Sequence, residues 1–341
     1  LDNDLKKGLS YEGLKDITYL DGLGSLMDKE LREKEIALYF TKKYEASLLK
    51  AHTHLNAQTL TSLMSESVLY SKSDLLSEMV YEFTELQGLM GYYYANAAGK
   101  DALFALSLKE QYLPNSEESA LPSTLFSAIV ALSYKLDSLI ALFSIDKIPT
   151  GNKDPYALRR AVNGIVKIVL SQGIAFNISS DLKTLAQNYK AFDFAVLETF
   201  FLERMYQFFD VNPSIITAVI SSGERDIMKL SQKIKALSTI VQDDGFKEMF
   251  STFKRVANII KNMEIQENLL VNVSLFDNAY ETELHKAFLS VTEKTYGSFE
   301  ENLDALFGLK PLIDAFFDNV MVNTEDMAVR ENRQNLIASI Y

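Results

Sequence analysis

Arg160, Asn163 and Lys167 recur at spacings of three and four, which stacks them on one face of a helix. Such a trio suits a polyanion. The cations meet phosphate oxygens, and the amide can bond the edge of an unstacked base. Arg159, next in line, belongs to the same basic cluster. A second set has the same character: Lys254, Arg255, Asn258, Lys261 and Asn262 cover one side of a helix whose inward stripe is Phe253, Val256, Ile260 and Met263. The competing reading of both faces is plain solvation, the common fate of charged helix faces. The residues alone leave the two readings open.

Catalytic chemistry is harder to find. The histidines are His52, His54 and His285. His52-Thr53-His54 is a weak metal cue that lacks carboxylate or imidazole partners at a defined helical spacing, so a solvated helix end is the expectation. His285 reads as a surface residue. There is no HExxH, EF-hand or Walker A pattern, Gly22-Leu23-Gly24 lacks the rest of a dinucleotide fingerprint, and no GxSxG elbow is present. No catalytic residue and no metal ligand is therefore expected. Asp318 and Asn319 either bond structurally within a core or read bases. Arg330 and Arg333 are expected to pair at short helical range with Glu325, Asp326 or Glu331.

The elements that must position these groups are helices. Asp154 is the expected N-cap of the Arg160 helix, Pro155 its first residue and Gly173 its stop, with Leu158, Val162, Ile165 and Val169 facing inward. Leu31, Ile36, Phe40, Tyr44 and Leu48 predict an early helix, and a second block runs from about Gln58 through Val80. Residues 111–122 read as a loop or lid before a strongly apolar helix over Leu125–Phe143. Ala175-Phe176-Asn177-Ile178 is the best strand candidate. Past Ser180 the chain turns to aromatic-rich helices, interrupted at Asn212-Pro213. Later helices are marked by Leu284, Ala287, Phe288 and Val291 and by Leu312 through Met321, and Thr324 is the expected cap of the last one. The shift in composition places a domain boundary near residue 185.

Composition agrees. With 341 residues, 48% hydrophobic and 23% charged, the chain has globular composition and length for two domains. Only 6 prolines and 14 glycines favour long helices over turn-rich sandwiches. The lack of cysteine removes disulfides, thiolate metal sites and a thiol nucleophile, and fits a reducing cytoplasm. No apolar run is expected to cross a bilayer, and no signal segment opens the chain. Residue 1 is Leu, which points to a fragment of a longer protein or a processed chain. The net charge of −12 argues against a generic nucleic-acid coat, yet not against a specific RNA binder whose cations are gathered on one surface.

Five stretches, residues 23–29, 73–91, 149–160, 254–259 and 315–322, occur in family order and closely resemble the beta subunit of bacterial glycyl-tRNA synthetase. They span nearly the whole chain. The resemblance implies an enzyme of two alpha and two beta subunits that joins glycine to its tRNA with ATP. ATP and Mg would be used on alpha, and no cofactor would reside in this part. The chain looks like the C-terminal portion of beta: an all-α fold with an HD-like helical domain over 1–185 and a DALR-type anticodon-binding bundle over 186–341. Partners would be glycine tRNA and the alpha subunit, with no membrane and no DNA, and this fragment would not charge tRNA alone.

HD phosphohydrolases hold metal with a separated His, a His-Asp pair and a later Asp. Here Arg32 stands at the first position, Ser73 precedes Asp74 at the second, and Tyr134 lies near the last. The similarity thus implies an HD scaffold without its metal chemistry. Lys254, Arg255, Asn258, Lys261 and Asn262 are the leading contacts to the anticodon stem-loop, with Arg159, Arg160 and Lys167 against the tRNA body. The alternatives are an HD-type metal-dependent phosphohydrolase and an assembly scaffold for the alpha subunit.

Overall fold

Ser25 ends a short hairpin and starts a helix with a reciprocal cap. Its hydroxyl accepts from Asp28 N at 3.2 Å, while the Asp28 carboxylate accepts from Ser25 N at 2.7 Å, so orphan amides on both sides are satisfied. The hairpin is β1 (Thr18–Leu20) against β2 (Gly24–Ser25), antiparallel, with Thr18 opposite Ser25 and Leu20 opposite Gly24. It is the only sheet among the described residues, and the chain is all-α.

This computed structural model describes residues 2–242, 245–261 and 269–340. They form two compact units that divide between Leu230 and Ser231, inside the helix Ile227–Ile240. The composition shifts earlier, near 185. The intervening helices stay with the first unit because Phe176 stacks on both Phe40 and Phe201, and Phe143 packs on Phe200.

The principal helices of the first unit are α1 (Leu26–Lys43), α2 (Ala57–Leu69), α3 (Leu89–Ala97), α4 (Ala102–Glu110), α5 (Leu125–Phe143), α6 (Leu158–Gln172) and α7 (Phe194–Phe208). α5 is the hub, packed by α1, α4 and α6. Against the sequence expectation, α5 is long and apolar enough by composition to span a membrane, but its residues are almost all buried within the protein. On α1, Ile36 and Phe40 are buried while Leu31 faces solvent. Burying each such side chain stabilises by roughly 1.5–3 kcal/mol.

Several local expectations shift. The block from Gln58 breaks at Tyr70 and resumes only as short turns and the helix Glu78–Glu82. The segment 175–178 is an extended connector: Phe176 O accepts from Ile227 N at 2.9 Å and Ile178 N donates to Arg225 O at 2.8 Å, an isolated bridge. α6 begins at Leu158, three residues past Pro155. The Asp154 carboxylate still caps it, accepting from Leu158 N and Arg159 N at 2.9 Å each, and Gly173 ends it in the left-handed conformation.

The second unit contains a bundle of α8 (Phe246–Ile260), α9 (Ala279–Thr292), α10 (Lys310–Asn319) and α11 (Met327–Ile340) around Val256, Leu284, Ile313, Phe316 and Leu336. Asp326 caps α11, accepting from Ala328 N and Val329 N, in place of the expected Thr324. Arg333 pairs across the bundle with Glu281 at 2.9 Å and Asp277 at 2.6 Å, not with the nearby acids of its own helix.

Candidate nucleic-acid interface and the buried ion lattice

α8 is amphipathic. Val256 and Ile260 drive its inner stripe into the core, which leaves Lys254, Arg255, Asn258 and the following Lys261 exposed in one row. Arg255 is partly engaged. Its guanidinium carbon lies 4.6 Å from the Phe317 ring centre, and it reaches Phe317 O at 3.3 Å and Asp318 at 3.5 Å. Lys254 and Lys261 pair with no carboxylate among the described residues. Asp318 and Asn319 are exposed rather than buried, and the Asn319 amide donates back to Ala315 O. Asn262 and Met263 lie outside the described residues.

On α6 the expected face is present: Arg160, Asn163 and Lys167 line one cavity, with Gly164 between them. Arg159 is not part of it. Its guanidinium turns back to Gly151 O in the preceding turn, so it braces the helix start. The basic cluster of the sequence therefore separates into one structural arginine and a two-cation face.

Spacing did not reveal the largest concentration of charge in the first unit, which is internal. Lys29 Nζ lies 2.8 Å from Asp137 and 2.9 Å from Glu33. Lys72 Nζ lies 2.7 Å from Glu30 and 2.8 Å from Glu33. Arg32 completes the set at 2.8 Å from Asp137, and Tyr189 donates to the same carboxylate. Tyr134 stands between the two lysines, its ring centre 5.0 Å from Lys29 Nζ and 5.2 Å from Lys72 Nζ. Burial, with Lys72 pulling the other way and Glu33 adding to it, pushes Glu30 up to about 7. Asp137 is held below its ordinary value: burial would raise it, but Lys29 and Arg32 win. One signal was readable in advance, the i,i+4 pair Lys29–Glu33; that Lys72 and Asp137 join it was not.

The HD positions can now be tested against a metal. Arg32 is bound to Asp137, and Asp74 spends one oxygen on Gly88 N at 2.7 Å and Gly91 N at 3.1 Å. Glu30, Glu33 and Asp137 are each already neutralised by a lysine or arginine. Among the described residues no three His, Asp or Glu side chains assemble a ligand set. This donor set does not fit a divalent metal, so it supports no metal-dependent hydrolysis. His52 and His54 face each other at 6.3 Å between ring centres, and burial lowers His52. His285 packs edge-on against Phe276.

Known proteins place these sites in context. The family model for the glycyl-tRNA synthetase beta subunit matches residues 1–221. The chain is 44% identical to the glycine–tRNA ligase beta subunit of Helicobacter pylori (strain G27), over 100% of this chain and 49% of that protein. It is 36% identical to the corresponding subunit of Streptococcus gordonii, over 96% and 47%. Against that of Sulfurihydrogenibium sp. (strain YO3AOP1) it is 35% identical, over 99% and 48%. The chain spans about half the length of the curated relatives it matches.

Proposed function

As the chain belongs to the glycyl-tRNA synthetase beta-subunit family, we propose that it is the tRNA-recognition portion of a glycine–tRNA ligase. It works in the cytoplasm beside an alpha subunit that binds ATP and Mg and forms the adenylate. The first unit is the HD-like scaffold, its metal chemistry replaced by internal ion pairs. The second is the DALR-type bundle that meets the anticodon stem-loop.

One observation carries this reading. In a chain of net charge −12, Lys254, Arg255 and Lys261 remain exposed in a row, and among the described residues neither lysine pairs with a carboxylate. Such a row suits phosphate, with Asn258 beside it able to bond a base edge. The α6 face supplies a second contact, to the tRNA body, through Arg160 and Lys167. Arg159 supports that face only by fixing the helix start.

The test is binding of glycine tRNA and of an anticodon-swapped tRNA to the assembled enzyme across a salt series. Tighter binding of the cognate tRNA and a falling affinity with salt are expected. Equal affinity for both removes the anticodon role. A flat salt response removes phosphate contact and leaves this portion as a scaffold for alpha.

A further inference from the structure

Three cations converge beneath the loop at 112–117, and among the described residues none of them has an ion-pair partner. Lys135, on α5, is 4% exposed, and among the described residues its Nζ donates to Tyr112 O at 3.1 Å and Pro114 O at 2.9 Å alone. From α6, Arg160 reaches Asn115 O at 3.4 Å and Lys167 reaches Glu117 O at 2.6 Å. These bonds are charge-assisted through the cation, but a carbonyl oxygen brings no formal charge to balance it. Burial, and to a lesser degree the charge of Arg160, draws the Lys135 ammonium down to about 8. Glu117 and Glu85 line the adjoining space, yet among the described residues neither carboxylate forms an ion pair with any of the three.

The space is large enough for a ligand. Cavities of about 480 and 390 Å³ share Pro114 and Arg160. Gly164 lets the Lys135 stem lie across α6, because a Cβ there would come within 2.9 Å of Lys135 Cε. Asn163 Oδ1, in the wall of the first cavity, is buried with no partner among the described residues, which leaves it open to an O–H or N–H donor. Tyr156 and Tyr112 line the second cavity and offer aromatic surface.

The geometry points to a phosphate-binding site between this loop and α6, with Arg160, Lys167 and Lys135 around the phosphate and Asn163 and Tyr156 beside the attached nucleoside. It deepens the proposal that the α6 face meets tRNA, and rests on that reading only for the source of the phosphate. The source is either an RNA backbone or a free nucleotide.

The assembled enzyme, as wild type, Arg160→Ala, Lys167→Ala and Lys135→Met, is titrated calorimetrically with inorganic phosphate and adenosine monophosphate. Glycine tRNA is then measured by filter binding, and circular dichroism monitors folding. Arg160 is exposed, so its truncation leaves the fold intact even if Lys135→Met does not. At least a fivefold loss for one ligand class is expected in Arg160→Ala and Lys167→Ala. Loss confined to the small phosphates identifies a free nucleotide as the source; loss confined to tRNA identifies the RNA backbone. Unchanged affinity for all three probes overturns the site. Failure of the wild type to bind tRNA sinks the tRNA reading, while the small-phosphate titrations still decide the site.

Discussion

Lys29 on α1 places its ammonium 2.8 Å from the Asp137 carboxylate on α5, with 2% of the lysine side chain and none of the aspartate side chain exposed. Around this pair, three cations and three carboxylates exchange contacts in the core of the first unit. Removing Lys29 leaves the buried carboxylates one charge in excess, with only Arg32 to hold Asp137 and Lys72 to hold Glu33. Lys29→Met is therefore expected to cost about 3–5 kcal/mol, read as a lower denaturation midpoint. An unchanged midpoint would show that the lattice contributes nothing.

Glu30 gives that lattice a pH signature. Its folded value, about 7, lies above the ordinary 4.5, so between those values the folded state binds more protons than the unfolded one. The stability tied to this group is complete below pH 4.5 and is lost as pH rises through 7. Glu30→Gln should flatten the decline between pH 5 and 7 in denaturation profiles, and equal slopes for both proteins would refute the assignment.

Asp74 stands where the HD resemblance puts a metal ligand, but its bonds go to backbone. Gly88, which it holds, has φ of +77°, and a Cβ there would lie 2.9 Å from Leu108 O. Gly88→Ala should cost about 1–3 kcal/mol, and Asp74→Ala about 2 kcal/mol or more through two lost amide bonds. Thermal melts check both. A variant at Asp74 that melted like wild type would require another role for the carboxylate.

On α8, Lys254→Ala and Lys261→Ala should weaken tRNA binding alike for all sequences, each lowering the salt slope by about 1. Asn258→Ala should instead change the preference between cognate and anticodon-swapped tRNA. The contrast between the two classes of variant is the check, and a uniform effect of Asn258→Ala would reduce it to a positional contact.

Much of this was legible in residue order. The limits of α5 follow from its apolar run, and Gly173 ends α6 because a left-handed residue suits glycine. The α6 face of Arg160, Asn163 and Lys167 follows from helical periodicity, as does the exposed row on α8. Arg333 shows where that logic stops. Its nearest acid in sequence, Glu331, is on its own helix, yet packing brings Glu281 and Asp277 to it from across the bundle.

Helices, their exposed basic faces and the family could be read from residue order, because periodicity and motif order are properties of the chain. Which charges are neutralised emerged from packing. It separated Arg159 from Arg160 and set Arg255 against Phe317 and Asp318. It also closed Lys29, Lys72 and Asp137 into one dry lattice, and buried the Lys135 ammonium against the carbonyl oxygens of Tyr112 and Pro114. Ion pairing depends on distance and solvent exclusion. Both arise when segments far apart in sequence pack together.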